Sequence, residues 1–490
     1  MASLSRRLYK TVHLTLTRES RLSRTSTRRW NSSLSSRFTL FLDPALDKPA
    51  AVKQLTSLVP KPTSSSNAAV VLTTPAFARW LEDESFMSRL LGPFSTDTLQ
   101  VLSGVVDGLS SPSTFSAPCD GFSVLRGNAA TLLPHLWLHD SPQAQKPERS
   151  HGYLDIHAQT ASGPVTTTLP LANTIFFTGR EATLSASRWV SQNGALNLQN
   201  TMDKAYQKIC LPGPLVSEGI SAPLIPILPP RKITGCLGNI LSEIEVGGKR
   251  VPASTELEFI VPRIYSHRMA ASPEATGVEV WALVSPEASP ASCCLPPDVV
   301  SVFSDRENET AVAALTSNDL RSLFQDQCEV YRIESGGGGW GKRKGRLALE
   351  TKWKPASSPS LSSAFASPHD DQDIDLPAFM RRGIMQRGLI TPGSWLQFFI
   401  SPLPSHSPAV SRLVQPIDGF VFGSAQNSLQ DHAATENREP GHGTAQLVNS
   451  HFSALAAEGL YIAKDNGSSM QLESPFASLT LRPVQTRQGA

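Results

Sequence analysis

The sequence predicts an α/β fold, turning α+β in its C-terminal half, built as two mixed-sheet domains with disordered insertions. Three observations lead there: apolar strand patterns alternate with helical ones over the first hundred residues, short apolar strands recur near the end, and polar, proline- and serine-rich stretches separate them. Residues 1–30 read as a mitochondrial presequence and 31–210 as an N-terminal α/β domain. Residues 231–354 read as the first part of a second domain, 355–375 as a disordered insertion, and 376–490 as that domain's closing strands, with a polar insertion at 425–444.

Arg37 to Leu42 reads as a strand, Ala45 to Leu58 as a helix, and Ala68 to Leu72 as a second strand. Thr74-Pro75 then supplies an N-cap and a first-turn proline, and Phe77, Trp80, Leu81, Met87, Leu90 and Leu91 follow at roughly helical spacing until Gly92-Pro93. Leu99 to Val106 is a third strand, so adjacent parallel strands are expected. Further on, Tyr153 to Ala158 and Asn173 to Phe177 continue the alternation, and Arg180 to Val190 reads as a helix. After the proline-rich crossing 211–230, strands are expected at Glu256 to Val261, Val278 to Val284, Val299 to Phe303, Cys328 to Ile333, Trp395 to Ile400, Gly419 to Phe422, Leu460 to Ala463 and Ser478 to Leu481.

The first thirty residues carry eight basic side chains (Arg6, Arg7, Lys10, Arg18, Arg21, Arg24, Arg28 and Arg29) and one acidic one, Glu19, with leucines and hydroxyl residues between them. Such a composition is that of a transit peptide, and the apolar core of a secretory signal is missing. The Arg28-Arg29-Trp30-Asn31 run resembles a matrix-processing site, so the expected location is the mitochondrial matrix. Without this segment, 36 basic residues face 41 acidic ones, a formal net of −5. The remaining chain therefore has no whole-domain attraction for phosphate backbones, and RNA binding has to rest on a local patch. Six cysteines show no Cys-x-x-Cys pair, which argues against a structural zinc site or a disulfide framework. No apolar run is long enough to span a bilayer as a helix; Leu211 to Pro230 is interrupted by prolines.

Gly336, Gly337, Gly338, Gly339, Trp340, Gly341, Lys342 and Arg343 match the G-x-x-x-x-G-K spacing of a phosphate-cradling loop. Arg343 stands where magnesium needs a hydroxyl, and Gly345 breaks the helix that would aim amides at a phosphate, so nucleotide hydrolysis is not expected. The loop could hold an anion in a nest of amides backed by Lys342, Arg343, Lys344 and Arg346, or it could be a mobile basic hairpin tip. Asp107 and Asp120 each precede glycine after an apolar or turn segment and are secondary candidates, as strand-end carboxylates of a kind often found near α/β ligand sites. Turn chemistry explains Asp-Gly equally well. His135, His139, Asp140, His151 and His157 cluster, but no glutamate sits between His135 and His139 to act as a zincin base, and surface or core histidines are the default. Gly121-Phe-Ser123-Val-Leu lacks the closing glycine of a nucleophile elbow. Glu256 and Glu258 would share a strand face and read as solvated. No catalytic residue, metal or cofactor is expected.

The opening alternation leading into Val105-Val106-Asp107-Gly108, together with Gly393-Ser-Trp-Leu-Gln-Phe-Phe399, Asp418-Gly-Phe-Val-Phe422 and Ala457-Glu-Gly-Leu-Tyr-Ile462, resembles the FIST sensory domain. The resemblance implies a non-catalytic domain that senses or holds a small metabolite. The expected function is binding of a small anionic ligand or a protein partner. The alternative is an assembly or gene-expression factor that contacts RNA or the ribosome through the Gly-rich loop.

Overall fold

A computed structural model describes residues 37–58, 66–92, 97–111, 118–138, 152–192, 195–271, 278–285, 298–323, 328–336, 345–350, 390–403, 418–425, 445–464 and 469–484. The presequence and the 355–375 insertion lie outside them.

In chain order the first part runs β1 (Arg37–Leu42), α1 (Lys48–Leu58), β2 (Ala68–Thr73), a 3-10 helix (Pro75–Glu82), α2 (Glu84–Leu91), β3 (Thr98–Val105), β4 (Gly121–Gly127) and α3 (Ala129–Leu132). It continues with β5 (Tyr153–Thr160), β6 (Gly163–Pro170), α4 (Ile175–Thr178), β7 (Leu184–Gln192), β8 (Ala195–Asp203), β9 (Tyr206–Cys210) and β10 (Leu215–Ser221). The middle part holds β11 (Ile225–Pro226), β12 (Arg231–Leu237), β13 (Ile240–Val246), β14 (Lys249–Pro252), α5 (Thr255–Ala271), β15 (Val280–Ser285), α6 (Val299–Phe303), α7 (Arg306–Leu323), β16 (Glu329–Gly336), β17 (Leu347–Leu349) and β18 (Trp395–Ile400). The chain ends with β19 (Gly419–Ser424), β20 (Ala445–Asn449), β21 (His451–Ala456), β22 (Leu460–Lys464), β23 (Ser469–Leu472) and β24 (Ser478–Pro483). Helices and extensive mixed sheets together make this a mixed α/β fold.

Three sheets organise it. The first has the order β20-β1-β4-β2-β3-β7-β8, with β2 and β3 parallel and the other pairs antiparallel. One face packs Phe38, Val71, Val101 and Phe122 against α2 and the 3-10 helix, and the other turns Val70, Leu72 and Leu102 toward the second sheet. The expected single helix from Pro75 is two: Asp83 ends the 3-10 turn and caps α2 by accepting from Phe86 N at 2.9 Å. The second sheet runs β21-β19-β24-β10-β5-β6-β22-β23, with β9 on β5. Here β21 also touches β6 and β19 touches β22, so the sheet curls back on itself. In the third, the antiparallel pairings β12–β13–β17–β16–β15–β18 return to β12, forming a closed ring around Ile233, Ile244, Ala282 and Phe398.

Several elements differ from expectation. Residues 184–192 form a strand rather than a helix: Leu184 and Ala186 enter one core and Trp189 the other, a period-two division that pairing with β3 and β8 enforces. Glu256 to Val261 lies inside helix α5, where Glu256 takes a bidentate pair from Arg231 at 2.7 and 2.8 Å and Glu258 accepts from Ser254 Oγ. Val299 to Phe303 is helical because Asp298 caps it. Asn173 precedes a helical turn over Ile175–Thr178 instead of opening a strand, its Oδ1 accepting from Ile175 N at 3.1 Å. Strands β20 to β24, expected to close the second domain, join the sheets of the first part instead, since β20 pairs with β1, β24 with β10 and β22 with β6. Among the described residues no helix is long and apolar enough to cross a membrane.

Beside the third sheet an ion pair is fully buried. Arg268 on α5 donates to Glu309 on α7 at 2.5 Å and to the carbonyl of Ser401, while Glu309 also accepts from Leu403 N. Removing one partner of such a pair strands a buried charge, whereas replacing both with apolar groups is often neutral. Glu309→Ala is expected to cost about 3–5 kcal/mol in denaturant unfolding, with Arg268→Met/Glu309→Leu recovering most of it. A cost below about 1 kcal/mol for the single variant would mean that the pair is solvated.

Candidate functional site

The Gly-rich loop is entered and left by strands. Its first residue, Gly336, closes β16 opposite Leu347, and β17 runs back antiparallel. Gly337, Gly338, Gly339, Trp340, Gly341, Lys342 and Arg343 lie outside the described residues, as do His139, Asp140 and His151. Their flanks nevertheless explain two glycines by packing: a Cβ on Gly336 would come within 2.3 Å of the Leu347 side chain. Gly345 has φ +81° and abuts Pro252. A phosphate loop needs a helix after it, and a strand follows here.

Asp107 and Asp120 sit at one end of the first sheet, where β2 and β3 finish and β4 begins, joined by the pairing of Leu109 with Cys119. Asp120 contributes its carbonyl to Leu42 N. Asp107 is engaged across the sheets: its Oδ2 accepts from Ala457 N at 2.7 Å, and its own N–H donates to Leu455 O. Burial raises its carboxyl to about 6, against the opposing Ala457 bond and helped by Glu458.

Beyond this contact a polar seam joins the same two sheets. His451 Nδ1 lies 2.9 Å from Thr39 Oγ1, which lies 3.1 Å from Ser123 Oγ, and Ser123 Oγ accepts from Ser453 N. Burial, with Arg37 nearby, lowers the imidazole to about 4. Ser123 is therefore a strand residue fully engaged between sheets.

A different group of side chains stands on the second sheet. Along β5 the even positions Leu154, Ile156 and Ala158 enter the core, so Tyr153, Asp155 and His157 occupy the opposite face. Parallel pairing sets Tyr206, Lys208 and Cys210 of β9 directly beside them in that order. On the other side, antiparallel pairing sets Thr168 beside Asp155 and Thr166 beside His157. Three strands thus present a polar patch about 13 Å long and 10 Å wide, from strand rise and spacing.

Its electrostatics centre on Asp155. This carboxylate is buried, accepts from Thr168 Oγ1, and is hydrogen-bonded to the Tyr206 hydroxyl. Desolvation raises its pKa despite those bonds and despite His157 and Lys208. Burial likewise raises Tyr206, with Asp155 adding to it. His157, half-buried with its Nδ1 3.2 Å from Thr166 Oγ1, is held below the usual imidazole range by burial and by Lys208, which leaves it neutral at pH 7. The rings of Tyr153 and Tyr206 lie 4.9 Å apart at the patch's end. Lys208 has partial solvent access and no ion-pair partner among the described residues.

No family model, no curated protein and no solved structure matches the chain. The geometry therefore carries the site alone. Among the described residues no group of three or more His, Cys, Asp or Glu side chains is placed to hold a metal ion. His135, with φ +59°, stands in a turn rather than a helix.

The sequence reading missed Tyr153, Asp155, Thr166, Thr168, Tyr206, Lys208 and Cys210, and placed His157 only in a histidine cluster. A usable signal was present. Both Tyr153-x-Asp155-x-His157 and Tyr206-x-Lys208-x-Cys210 place three titratable side chains at period two within strands whose alternate residues Leu154, Ile156 and Ile209 are core.

The two shifted groups between the sheets have opposite pH effects. A raised Asp107 stabilises the fold most below its unfolded pKa of about 3.8, and this contribution is lost as pH rises through about 6. A lowered His451 stabilises it above its unfolded pKa of about 6.5, and this contribution is lost as pH falls toward about 4. Each shift corresponds to about 3 kcal/mol, so the two largely offset between pH 4 and 6.5. His451→Gln, which cannot titrate, is expected to gain about 3 kcal/mol on the native chain as pH falls across that window, measured by urea unfolding at each pH. A pH-independent gap would show that the imidazole titrates normally.

Proposed function

We propose that the chain is a non-catalytic binding protein of the mitochondrial matrix whose ligand is a small anion. The observation that carries this reading is Lys208: an ammonium group with no ion pair among the described residues, framed by Tyr153, Tyr206 and His157 on a three-strand surface. Charged groups on a folded surface gain from a counter-charge most where the surroundings are partly desolvated, and Asp155 is already engaged by hydroxyls. A site on adjacent paired strands is also held with little motion, which lowers the ordering cost of binding. The basic Gly-rich segment around Lys342 and Arg343 is the other anion-attracting element, and a protein partner could use it as well. The resemblance of residues 105–108 and 457–462 to a sensory domain supports binding over turnover; these two segments meet at the Asp107–Ala457 hydrogen bond.

A thermal-shift screen of the full chain against small carboxylates, phosphates, amino acids and nucleotides tests the proposal. A ligand at a hundred times its dissociation constant stabilises by about 2.7 kcal/mol, a shift of a few degrees. Anionic hits are expected, and Lys208→Ala should abolish them. Hits that survive in Lys208→Ala but vanish in Lys342→Ala/Arg343→Ala would move the site to the Gly-rich segment. A screen in which no anion shifts the melting temperature would sink the proposal.

Location is tested separately. N-terminal peptide mass spectrometry of the mitochondrial form should place the mature terminus at or within a residue or two of Asn31, and an intact Met1 there would contradict import by presequence cleavage.

A further inference from the structure

Asp155 and Lys208 are direct partners across the parallel pairing of β5 and β9, yet they do not form an ion pair. The carboxylate's hydrogen bonds go to Thr168 and Tyr206, and its exposure is only 6%. Lys208 keeps partial access to solvent. An anion entering from solvent to meet the ammonium therefore comes close to a buried carboxylate. Two negative charges a few ångströms apart in a partly desolvated site repel by several kcal/mol at an effective dielectric of about 20, comparable to what the ammonium supplies. The other titratable groups around Asp155 do not relieve this. His157 on β5 is neutral at pH 7, Tyr206 on β9 and Tyr153 on β5 are phenols, Cys210 on β9 lies beyond Lys208, and Tyr461 on β22 stands behind Thr168. A proton on Asp155 removes the conflict and keeps Lys208 wholly for the ligand.

We infer that the patch takes up its ligand as a small monoanion together with one proton, which the Asp155 carboxyl receives. This rests on the reading of Lys208 as the anion-binding group. The balance is simple: anion plus proton plus ionised Asp155 gives bound anion beside a neutral carboxyl, with no covalent bond made or broken. The burial of Asp155 beside Lys208 already raises the carboxyl's affinity for protons, the direction that uptake requires. The ligand class is accordingly a compact monovalent carboxylate or sulfonate-like anion. Its apparent affinity rises up to about tenfold for each pH unit of acidification while Asp155 titrates.

The test uses the full chain with acetate and methanesulfonate as probes and ethylammonium as a cationic control. Melting temperatures are read at high millimolar probe between about pH 7.5 and about pH 5.5, a window in which methanesulfonate stays fully ionised and acetate mostly so. The expected result is a stabilisation by both anions that grows as pH falls, is lost in Lys208→Ala, and becomes pH-independent in Asp155→Asn, whose amide keeps an oxygen for Thr168. Near-native melting of both variants without probe shows that they fold; if Lys208→Ala does not, Lys208→Gln replaces it. Three results would overturn the inference: no response to either anion, a native response that ignores pH, or a pH dependence that persists in Asp155→Asn. Stabilisation by ethylammonium that disappears in Asp155→Asn would overturn it too, since the carboxylate would then be ionised and the ligand cationic. Metabolite hits that depend on Lys208 but release or absorb no proton, measured calorimetrically in buffers of differing ionisation enthalpy, would leave the binding function standing and remove only the proton coupling.

Discussion

The pairing of β1 with β20 commits the two ends of the chain to one sheet. Five residue pairs, from Phe38 with Asn449 to Leu42 with Ala445, make this seam, and Ser450 N adds a bond to Arg37 O just beyond it. One residue later the chain enters β21, in the second sheet, so the turn at Ser450 is where the two sheets are tied. The Thr39, His451, Ser123 and Ser453 side chains fill the space behind it. A buried polar network of this kind is costly when half-satisfied and orienting when satisfied, and it fixes how β21 lies across β1 and β4. Contacts separated by some four hundred residues close late and slowly in folding. The stability of the first two sheets therefore rests on a step that local structure cannot complete.

That closure explains how the third sheet can sit where it does. Its strands occupy residues 225–400, between β10 and β19, which belong to the same sheet. An inserted unit leaves its host undisturbed when it begins and ends at neighbouring points. Ile225 pairs with Ile400 and Pro226 with Phe399, so entry and exit are hydrogen-bonded neighbours. The ring of pairings from β12 round to β18 removes the exposed sheet edges that an insertion would otherwise carry. Ser317 on α7 then bonds Ser221 Oγ and Ala222 N, fixing the inserted unit where it leaves the host.

What could be read from the sequence follows the same division. Strands dominated by apolar residues, such as Arg37–Leu42, Ala68–Thr73 and Trp395–Ile400, are buried on both faces, and composition alone marks them. The strand Leu184–Gln192 is different: Ser185, Ser187 and Arg188 give it helical polarity, and only its position between β3 and β8 makes it extended. The sharing of sheets by residues 37–221 and 419–483 was invisible for a related reason. Pairing partners are chosen by register and shape, which a linear reading from one end to the other does not contain. The candidate site was lost at this level as well, because Asp155 and Lys208 are neighbours only through the pairing of β5 with β9.

The two anion-attracting elements differ in what holds them. The Gly-rich segment leaves β16 at Gly336 and returns through Gly345 against Pro252, and the residues between them lie outside the described ones. In the patch the central strand β5 is paired on both sides, Asp155 with Thr168 and Lys208 and His157 with Thr166 and Cys210, while β9, which carries Lys208, pairs only with β5 among the described residues. Binding to the second meets groups already ordered by a sheet that the core requires in any case, which keeps the ordering cost low. At equal charge the second surface discriminates better between ligands, because a rigid site cannot shift to accommodate a wrong shape. The buried carboxyl beside Lys208 adds a further discrimination, by charge state, that a run of lysine and arginine on a loop cannot make.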